Sequence, residues 1–217
     1  MQLQTATIKF PEIGLQTRDA HKLRGFFGNL FKEKSELLHN HFADGSHRYK
    51  YPLVQYKVID KSPYLVGVSE GAKLLVELFL KIKFLNIEGR DFQINSKNIT
   101  TKITELGDFS ELHEYKFATL WMALNQENFK IYLNENTDKE AFLNKMLQNN
   151  ILSFYKGVDF FVSEKIMTKG SFLEHQTSFK NKKMLVFSGS FVTNAVLPEF
   201  VGIGKSPARG FGSLVKS

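Results

Sequence analysis

The chain has 217 residues, enough for one large domain or two small ones, and its 42% hydrophobic content is typical of a protein that buries a core. It contains no cysteine, which excludes a disulfide framework, a thiolate zinc site and a cysteine nucleophile. The formal net charge of +7 favours an acidic partner, with nucleic acid ahead of a membrane surface.

The first half of the chain predicts two helices among strands. From a period of two in the apolar residues, strands are expected at residues 3–10, 49–60, 64–69, 85–87, 92–94 and 100–106. Helices are expected at 18–33, capped by Thr17, and at 70–83, capped by Ser69. A turn is expected at 61–63. The order strand, helix, strand, strand, helix, strand is that of a ferredoxin-like unit.

The second half predicts a similar but less complete unit. Strands are expected at residues 115–124, 157–163, 165–168, 184–192 and 214–216. One long helix is expected at 138–155 behind the cap Thr137, whereas residues 193–202 leave room for one further helical turn. We therefore expect an α+β protein of two tandem ferredoxin-like (RRM-like) domains, residues 1–108 and 109–217, with the second one degraded.

Three of the six histidines, His39, His41 and His47, lie within nine positions. A turn signal at Asp44 can fold this segment back and bring His41 near Tyr49. Histidine suits the proton transfers of RNA cleavage by a neighbouring 2′-hydroxyl, because both of its protonation states are accessible near neutral pH. Solvated loop histidines are the alternative. A metal site is a weaker alternative, because Asp44 is the only carboxylate near the histidines and the chain has no cysteine to add as a ligand.

A glycine-rich segment near the C-terminus reads Gly202-Ile-Gly-Lys-Ser-Pro-Ala-Arg-Gly-Phe-Gly212. Glycine accepts positive φ and has no side chain to hold a polyanion away, so such a loop can present N–H groups and cations to phosphates. The segment is not a nucleotide P-loop, because Glu199 stands where that motif needs its first glycine and Pro207 leaves no helix after it. A plain glycine-rich turn that closes a hairpin is the alternative.

The segment has two glycine-hydrophobe-glycine units, separated by five residues that include Lys205 and Arg209. This pattern resembles the glycine-rich loop of the repeat-associated RNA-binding proteins. More narrowly, it resembles that of the CRISPR repeat-RNA processing endoribonucleases. His39-Asn-His41 and the segments 49–57 and 63–71 are similar to the amino-terminal region of one branch of that family. The resemblance also implies tandem ferredoxin-like units, with the glycine-rich loop near the last strand of the second.

The resemblance implies a metal-independent endoribonuclease that cuts precursor CRISPR RNA within each repeat, leaving 2′,3′-cyclic phosphate and 5′-hydroxyl ends. His41 is the expected general base or acid, and His39 is its close competitor. Tyr49 is expected to position or activate the attacking hydroxyl, and Lys57 or Lys50 to stabilise charge. The expected RNA-binding residues are Gly202, Gly204, Lys205, Ser206, Arg209, Gly210, Phe211 and Gly212 of the loop, with Lys22 and Arg24 of the first helix.

Two alternatives to this enzyme remain open. One is a non-catalytic RNA-binding subunit of a CRISPR-type ribonucleoprotein, and the other is a basic ferredoxin-like protein whose glycine loop is only a turn. Tyr51, Tyr56 and Phe211 are candidates to stack on bases. Phe211 is the preferred one, because the glycines on both sides leave little to bury it.

The expected partner is CRISPR repeat RNA, with other CRISPR effector proteins as further candidates and a monomer or homodimer as the expected assembly. No cofactor and no metal are expected. The N-terminal residues lack the basic start and apolar run of a secretion signal, and no stretch is apolar enough to span a bilayer. We therefore expect a cytoplasmic protein with no membrane partner.

Overall fold

The structure, a computed structural model, describes residues 1–31, 36–38, 51–179 and 182–217. The chain forms two compact units. The N-terminal unit comprises Gln2–Thr104 and Pro207–Gly210, and the C-terminal unit comprises Met1, Glu105–Ser206 and Phe211–Ser217. Among the helices of the described residues, none is long and apolar enough to cross a membrane.

The described residues of the N-terminal unit form two α-helices and six strands. The strands are β1 (Gln2–Lys9), β2 (Val54–Ile59), β3 (Ser62–Val68), β4 (Phe84–Ile87), β5 (Arg90–Gln93) and β6 (Asn98–Glu105). The helices are α1 (Ala20–Leu30) and α2 (Glu70–Leu78). One sheet has the order β2-β3-β1-β6, and β4 pairs with β5 in a small separate sheet. This order, with α1 and α2 in the crossover connections, confirms the predicted ferredoxin-like unit.

The helices of this unit pack on one face of the larger sheet. Leu23 and Phe27 of α1 and Leu75 of α2 share a core with Ile8 of β1 and Tyr56 of β2. Leu23 and Phe27 are four positions apart, so they lie on the same side of α1. Full burial of such a side chain contributes about 1.5–3 kcal/mol. Tyr56 also stacks on Phe27, with ring centroids 5.9 Å apart.

Three local expectations in this unit need correction. The turn between β2 and β3 lies at Asp60 and Lys61, which both have positive φ, and Pro63 is already part of β3. Ser69 is the N-cap residue of α2, but it has a φ of +54° and its side chain makes no capping hydrogen bond; its carbonyl group accepts from the N–H of Ala72. Thr17 lies inside a 3₁₀ turn and does not cap α1.

The C-terminal unit repeats the sheet but has no α-helix before its last strand. Its strands are β7 (His113–Phe117), β8 (Thr168–Phe179), β9 (Lys182–Thr193) and β10 (Leu214–Lys216), in the order β10-β7-β9-β8. The helices α3 (Gln126–Tyr132) and α4 (Lys139–Gly157) both precede β8. Between β9 and β10, all of whose connecting residues are described, the chain has only the 3₁₀ turn Pro207–Arg209. The predicted loss of a helix from the second ferredoxin-like unit is confirmed.

Other expectations for this unit need correction. The cap of α4 is Asp138, whose Oδ1 accepts from the N–H of Ala141 at 3.0 Å, and Thr137 lies outside the helix. No strand forms at 157–163, because the chain leaves α4 through Asp159 at a φ of +58°. Helix α3 and most of β8 were not predicted.

Candidate nucleic-acid interface

The 3₁₀ turn Pro207–Arg209, named the basic turn, packs against β2 and α1 of the N-terminal unit. Lys57 of β2 donates a hydrogen bond from Nζ to the carbonyl oxygen of Pro207 at 2.8 Å. Gly210 follows the turn at a φ of +98°, and a Cβ there would lie only 2.5 Å from the Cβ of Ala20. The missing side chain of Gly210 therefore lets the basic turn lie directly on α1.

Arg209 of the basic turn lies near Arg24 of α1. Burial lowers the pKa of the Arg24 guanidinium, and the charge of Arg209 lowers it further. Both side chains are half-buried. An anion placed beside such a pair offsets the repulsion between the two cations and matches their planar donors. Two predicted RNA contacts that are distant in the sequence are thus brought together as a candidate phosphate site.

Lys57 is fully buried, with 0% of its surface exposed. Burial holds the pKa of its ammonium group well below the ordinary value. Through the Pro207 carbonyl group, the side chain fixes the position at which the basic turn starts. The stabilisation of charge on RNA by Lys57 stays a prediction, and the geometry adds a positioning role for the same side chain.

Lys22, the other predicted RNA contact on α1, is held by two carboxylates. Its Nζ lies 2.7 Å from Oδ1 of Asp19 and 2.8 Å from Oε2 of Glu88. Hydrogen bonds to Asp19 and then to Glu88 raise the pKa of Lys22. These carboxylates offset the charge of Lys22, and its contact with RNA stays a prediction.

The glycines of the C-terminal segment lie close to the protein's own atoms. At Gly204, which has a φ of +90°, a Cβ would lie 2.7 Å from Nε1 of Trp121. At Gly212, with a φ of +66°, it would lie 2.0 Å from the carbonyl oxygen of Ile203. The close approach that these glycines permit is therefore intramolecular, whereas their contact with RNA stays a prediction.

Two backbone N–H groups of the same segment are also used within the protein. Lys205 donates to the carbonyl oxygen of Met122, and Gly212 donates to that of Leu120, each at 2.9 Å. The side chain of Lys205 is exposed, and Ser206 and Phe211 are half-buried. The expectation that little buries Phe211 is wrong. Side chains, rather than these two amides, are what the segment offers to a ligand.

The histidine-rich segment lies outside the described residues. This applies to His39, His41, His47, Tyr49 and Lys50. The catalytic roles expected of His41, Tyr49 and His39 therefore stay predictions. Within residues 1–31, 36–38, 51–179 and 182–217, no group of three histidine, aspartate or glutamate side chains is arranged to hold a metal ion.

Two tyrosines singled out for base stacking have internal roles. Tyr56 is fully buried, and its hydroxyl donates to the carbonyl oxygen of Leu38 at 3.2 Å, so that expectation is wrong. The hydroxyl of Tyr51 accepts from Nε2 of Gln55 at 2.6 Å. Phe129 of α3, which is 39% exposed, is an aromatic candidate that was not predicted. Its position could be found only from the fold, because α3 is short and was not predicted.

Comparison with protein families matches both halves of the chain. The model of the Cas6b N-terminal domain matches residues 1–105, and that of the Cas6b C-terminal domain matches residues 108–217. An uncharacterized protein of Methanocaldococcus jannaschii is 34% identical over 144 residues, which are 64% of this chain and 97% of the relative.

Solved structures agree with these matches. A crystal structure of Cas6b is 37% identical and superimposes with a TM-score of 0.94, covering 100% of both chains. A crystal structure of a CRISPR RNA processing endoribonuclease, also a Cas6b, is 32% identical with a TM-score of 0.80 over 100% of both chains. The chain therefore belongs to the Cas6b family.

Proposed function

We propose that this chain is an endoribonuclease that cuts precursor CRISPR RNA within its repeats. The observation that carries the proposal is the full-length similarity, at 32% identity, to a Cas6b described as a CRISPR RNA processing endoribonuclease. Net charge and the candidate phosphate site at Arg24 and Arg209 support an RNA substrate. The proposed site of action is cytoplasmic.

The proposed reaction needs no metal ion. The 2′-oxygen of one nucleotide forms a bond to the neighbouring phosphorus, and the bond from phosphorus to the 5′-oxygen of the next nucleotide breaks. A base takes the proton of the 2′-hydroxyl, and an acid gives a proton to the leaving 5′-oxygen. The products are a 2′,3′-cyclic phosphate and a 5′-hydroxyl.

We assign His41 as general base or acid and Tyr49 as the residue that positions or activates the 2′-hydroxyl. His39 takes the place of His41 if the first histidine is the one that works. Lys50 would stabilise the charge that develops on the phosphate oxygens, and Lys57, which is buried, would act on the site by holding the basic turn. RNA would bind Arg24 and Arg209 in the N-terminal unit and Lys205 in the C-terminal unit, with Phe211 and the loop glycines as further proposed contacts.

The test is single-turnover cleavage of the host's own repeat RNA in excess EDTA. We expect one cut per repeat, with a product end that resists phosphatase until acid opens the cyclic phosphate. His41→Ala should slow cleavage by about 10²- to 10⁴-fold, the usual contribution of a positioned acid or base, while the Kd for RNA stays within about twofold.

His175→Ala is the matched control, since His175 is exposed on β8 and contacts Oγ of Ser188 at 2.7 Å. The control should cleave normally. Full activity of His41→Ala would move the role to His39 or His47. Tight binding of repeat RNA with no product at any protein excess would end the proposal and leave a non-catalytic RNA-binding subunit in its place.

A further inference from the structure

A groove of about 670 Å³ lies within the C-terminal unit. Three segments distant in sequence line it: the start of α3, the beginning of β9 and the glycine-rich loop. The lining includes Asn125, Gln126, Phe129, Lys183, Met184 and Lys205. The volume lies within the roughly 300–1,000 Å³ usual for sites that hold a small ligand or one unit of a polymer.

Two cations face this groove from different segments. Lys183 comes from β9 and Lys205 from the glycine-rich loop, and both side chains are exposed. The backbone of Lys205 is fixed by its N–H bond to Met122 and by the packing of Gly204 on Trp121. Among the described residues that line the groove, Glu127 is the one acidic residue, so these residues keep a positive balance that suits a phosphate.

An aromatic surface and an amide complete the lining. Phe129 is 39% exposed, and it shares the groove with Met184. The start of α3 is fixed because Oδ1 of Asn125 accepts from the N–H of Asn128 at 2.7 Å. The amide of the exposed Gln126 carries both a donor and an acceptor, as a nucleobase edge does.

We infer that this groove holds one nucleotide of single-stranded RNA. Its base would stack on Phe129, its edge would meet the amide of Gln126, and its phosphate would lie between Lys183 and Lys205. The combination of an aromatic face and two lysines favours a nucleotide over an acidic peptide, which would leave Phe129 without a flat partner. The inference rests on the proposed RNA substrate and adds a subsite that the glycine-rich loop shares through Lys205.

The test measures the binding of a fluorescein-labelled, unstructured RNA octamer by anisotropy, in EDTA and under conditions without cleavage. Phe129→Ala should weaken binding by about 5- to 150-fold, the range for one lost base–aromatic stack. Ile131→Ala, on the same helix and 50% exposed, is the matched control and should bind within about twofold of the wild type.

The lysines are tested by the salt dependence of the same octamer. Lys183→Ala with Lys205→Ala should make the slope of log Kd against log salt smaller by about 0.7, which corresponds to the one phosphate that the two lysines hold on a single strand. Lys130→Ala with Lys169→Ala, both exposed lysines of the same unit outside the groove lining, should leave the slope unchanged. Equal losses in the test and control pairs would overturn the groove as a site.

A third measurement identifies the contact directly. An octamer carrying 5-iodouridine should cross-link to Phe129, and mass spectrometry should find that peptide. Cross-links confined to other segments, or an acidic peptide that displaces the octamer at equal concentration, would contradict the inference. None of these measurements requires cleavage, so a protein that never cuts repeat RNA can still satisfy them. If the protein does cut repeat RNA but Phe129→Ala binds the octamer as tightly as the wild type, the subsite alone is refuted.

Discussion

The single side chain of Lys57 holds in place a turn that lies far from it in the sequence. Its ammonium group is removed from solvent and donates to the carbonyl group of Pro207. Removal of a charge from water opposes its protonation, so the pKa of Lys57 is lowered well below 10.5 in the folded state. The protein tolerates this cost at the point where the basic turn meets β2.

This burial predicts a pH dependence of stability. Between the lowered folded pKa and the unfolded value of 10.5, the unfolded state binds more protons than the folded state. The free energy of unfolding that Lys57 contributes should therefore rise as pH increases through that window. Lys57→Met keeps the aliphatic stem and removes the titrating group. Urea unfolding from pH 7 to pH 10 should show that the free energy of unfolding of the wild type rises relative to that of this variant. Parallel plots of the two free energies against pH would contradict the assignment.

Among the helices and strands, local sequence patterns predicted those whose formation depends on nearby residues. Strand β10 was predicted at its observed bounds, and the helix predicted at 138–155 is observed as α4 at Lys139–Gly157. Strand β8 was missed because it is held by a long register against β9, from Thr168 opposite Thr193 to Phe179 opposite Lys182. Such pairing is non-local, and the exposed, polar residues of β8 give little apolar alternation.

In the glycine-rich loop, too, contacts with residues distant in the sequence could not be predicted. Its four glycines and its cations were predicted to belong to one functional segment, but the sequence could not tell what the glycines approach. Gly204 faces Trp121, and Gly210 faces Ala20. The partners of the basic turn, Lys57 and Arg24, are likewise set by the fold rather than by spacing.

The packing of Gly204 predicts a large effect of a single methyl group. Gly204→Ala combines a φ of +90° with contacts of 2.7 Å to Nε1 of Trp121 and 2.8 Å to the carbonyl oxygen of Met122. We expect it to lower the free energy of unfolding by at least about 2 kcal/mol. Urea unfolding followed through Trp121, the only tryptophan of the chain, measures the change.

Gly25→Ala is the matched control for this substitution. Gly25 lies within α1, and a Cβ there has no atom within 4 Å. Alanine is preferred to glycine inside a helix, so this variant should be more stable by about 0.5–1 kcal/mol. A destabilisation of similar size at both positions would show that packing around Gly204 is not the cause.

At the scale of the whole molecule, the fold class and the family were within reach of the sequence, because the glycine-rich loop and the order of elements are local features. The sequence could not predict that Pro207–Gly210 belongs to the N-terminal unit, because this depends on contacts with β2 and α1. The groove beside Phe129 was equally hidden, because it joins a helix, a strand and a loop that are far apart in the chain.

We propose that the substrate's own 2′-hydroxyl cuts the repeat RNA on this protein. The most direct measurement compares, in EDTA, the host's repeat RNA with the same RNA carrying a single 2′-deoxynucleotide 5′ to the cut. We expect the deoxy substrate to bind with an unchanged Kd and to remain uncut, while the unmodified RNA yields a 2′,3′-cyclic phosphate. Cleavage of the deoxy substrate at the same bond and rate would contradict the account.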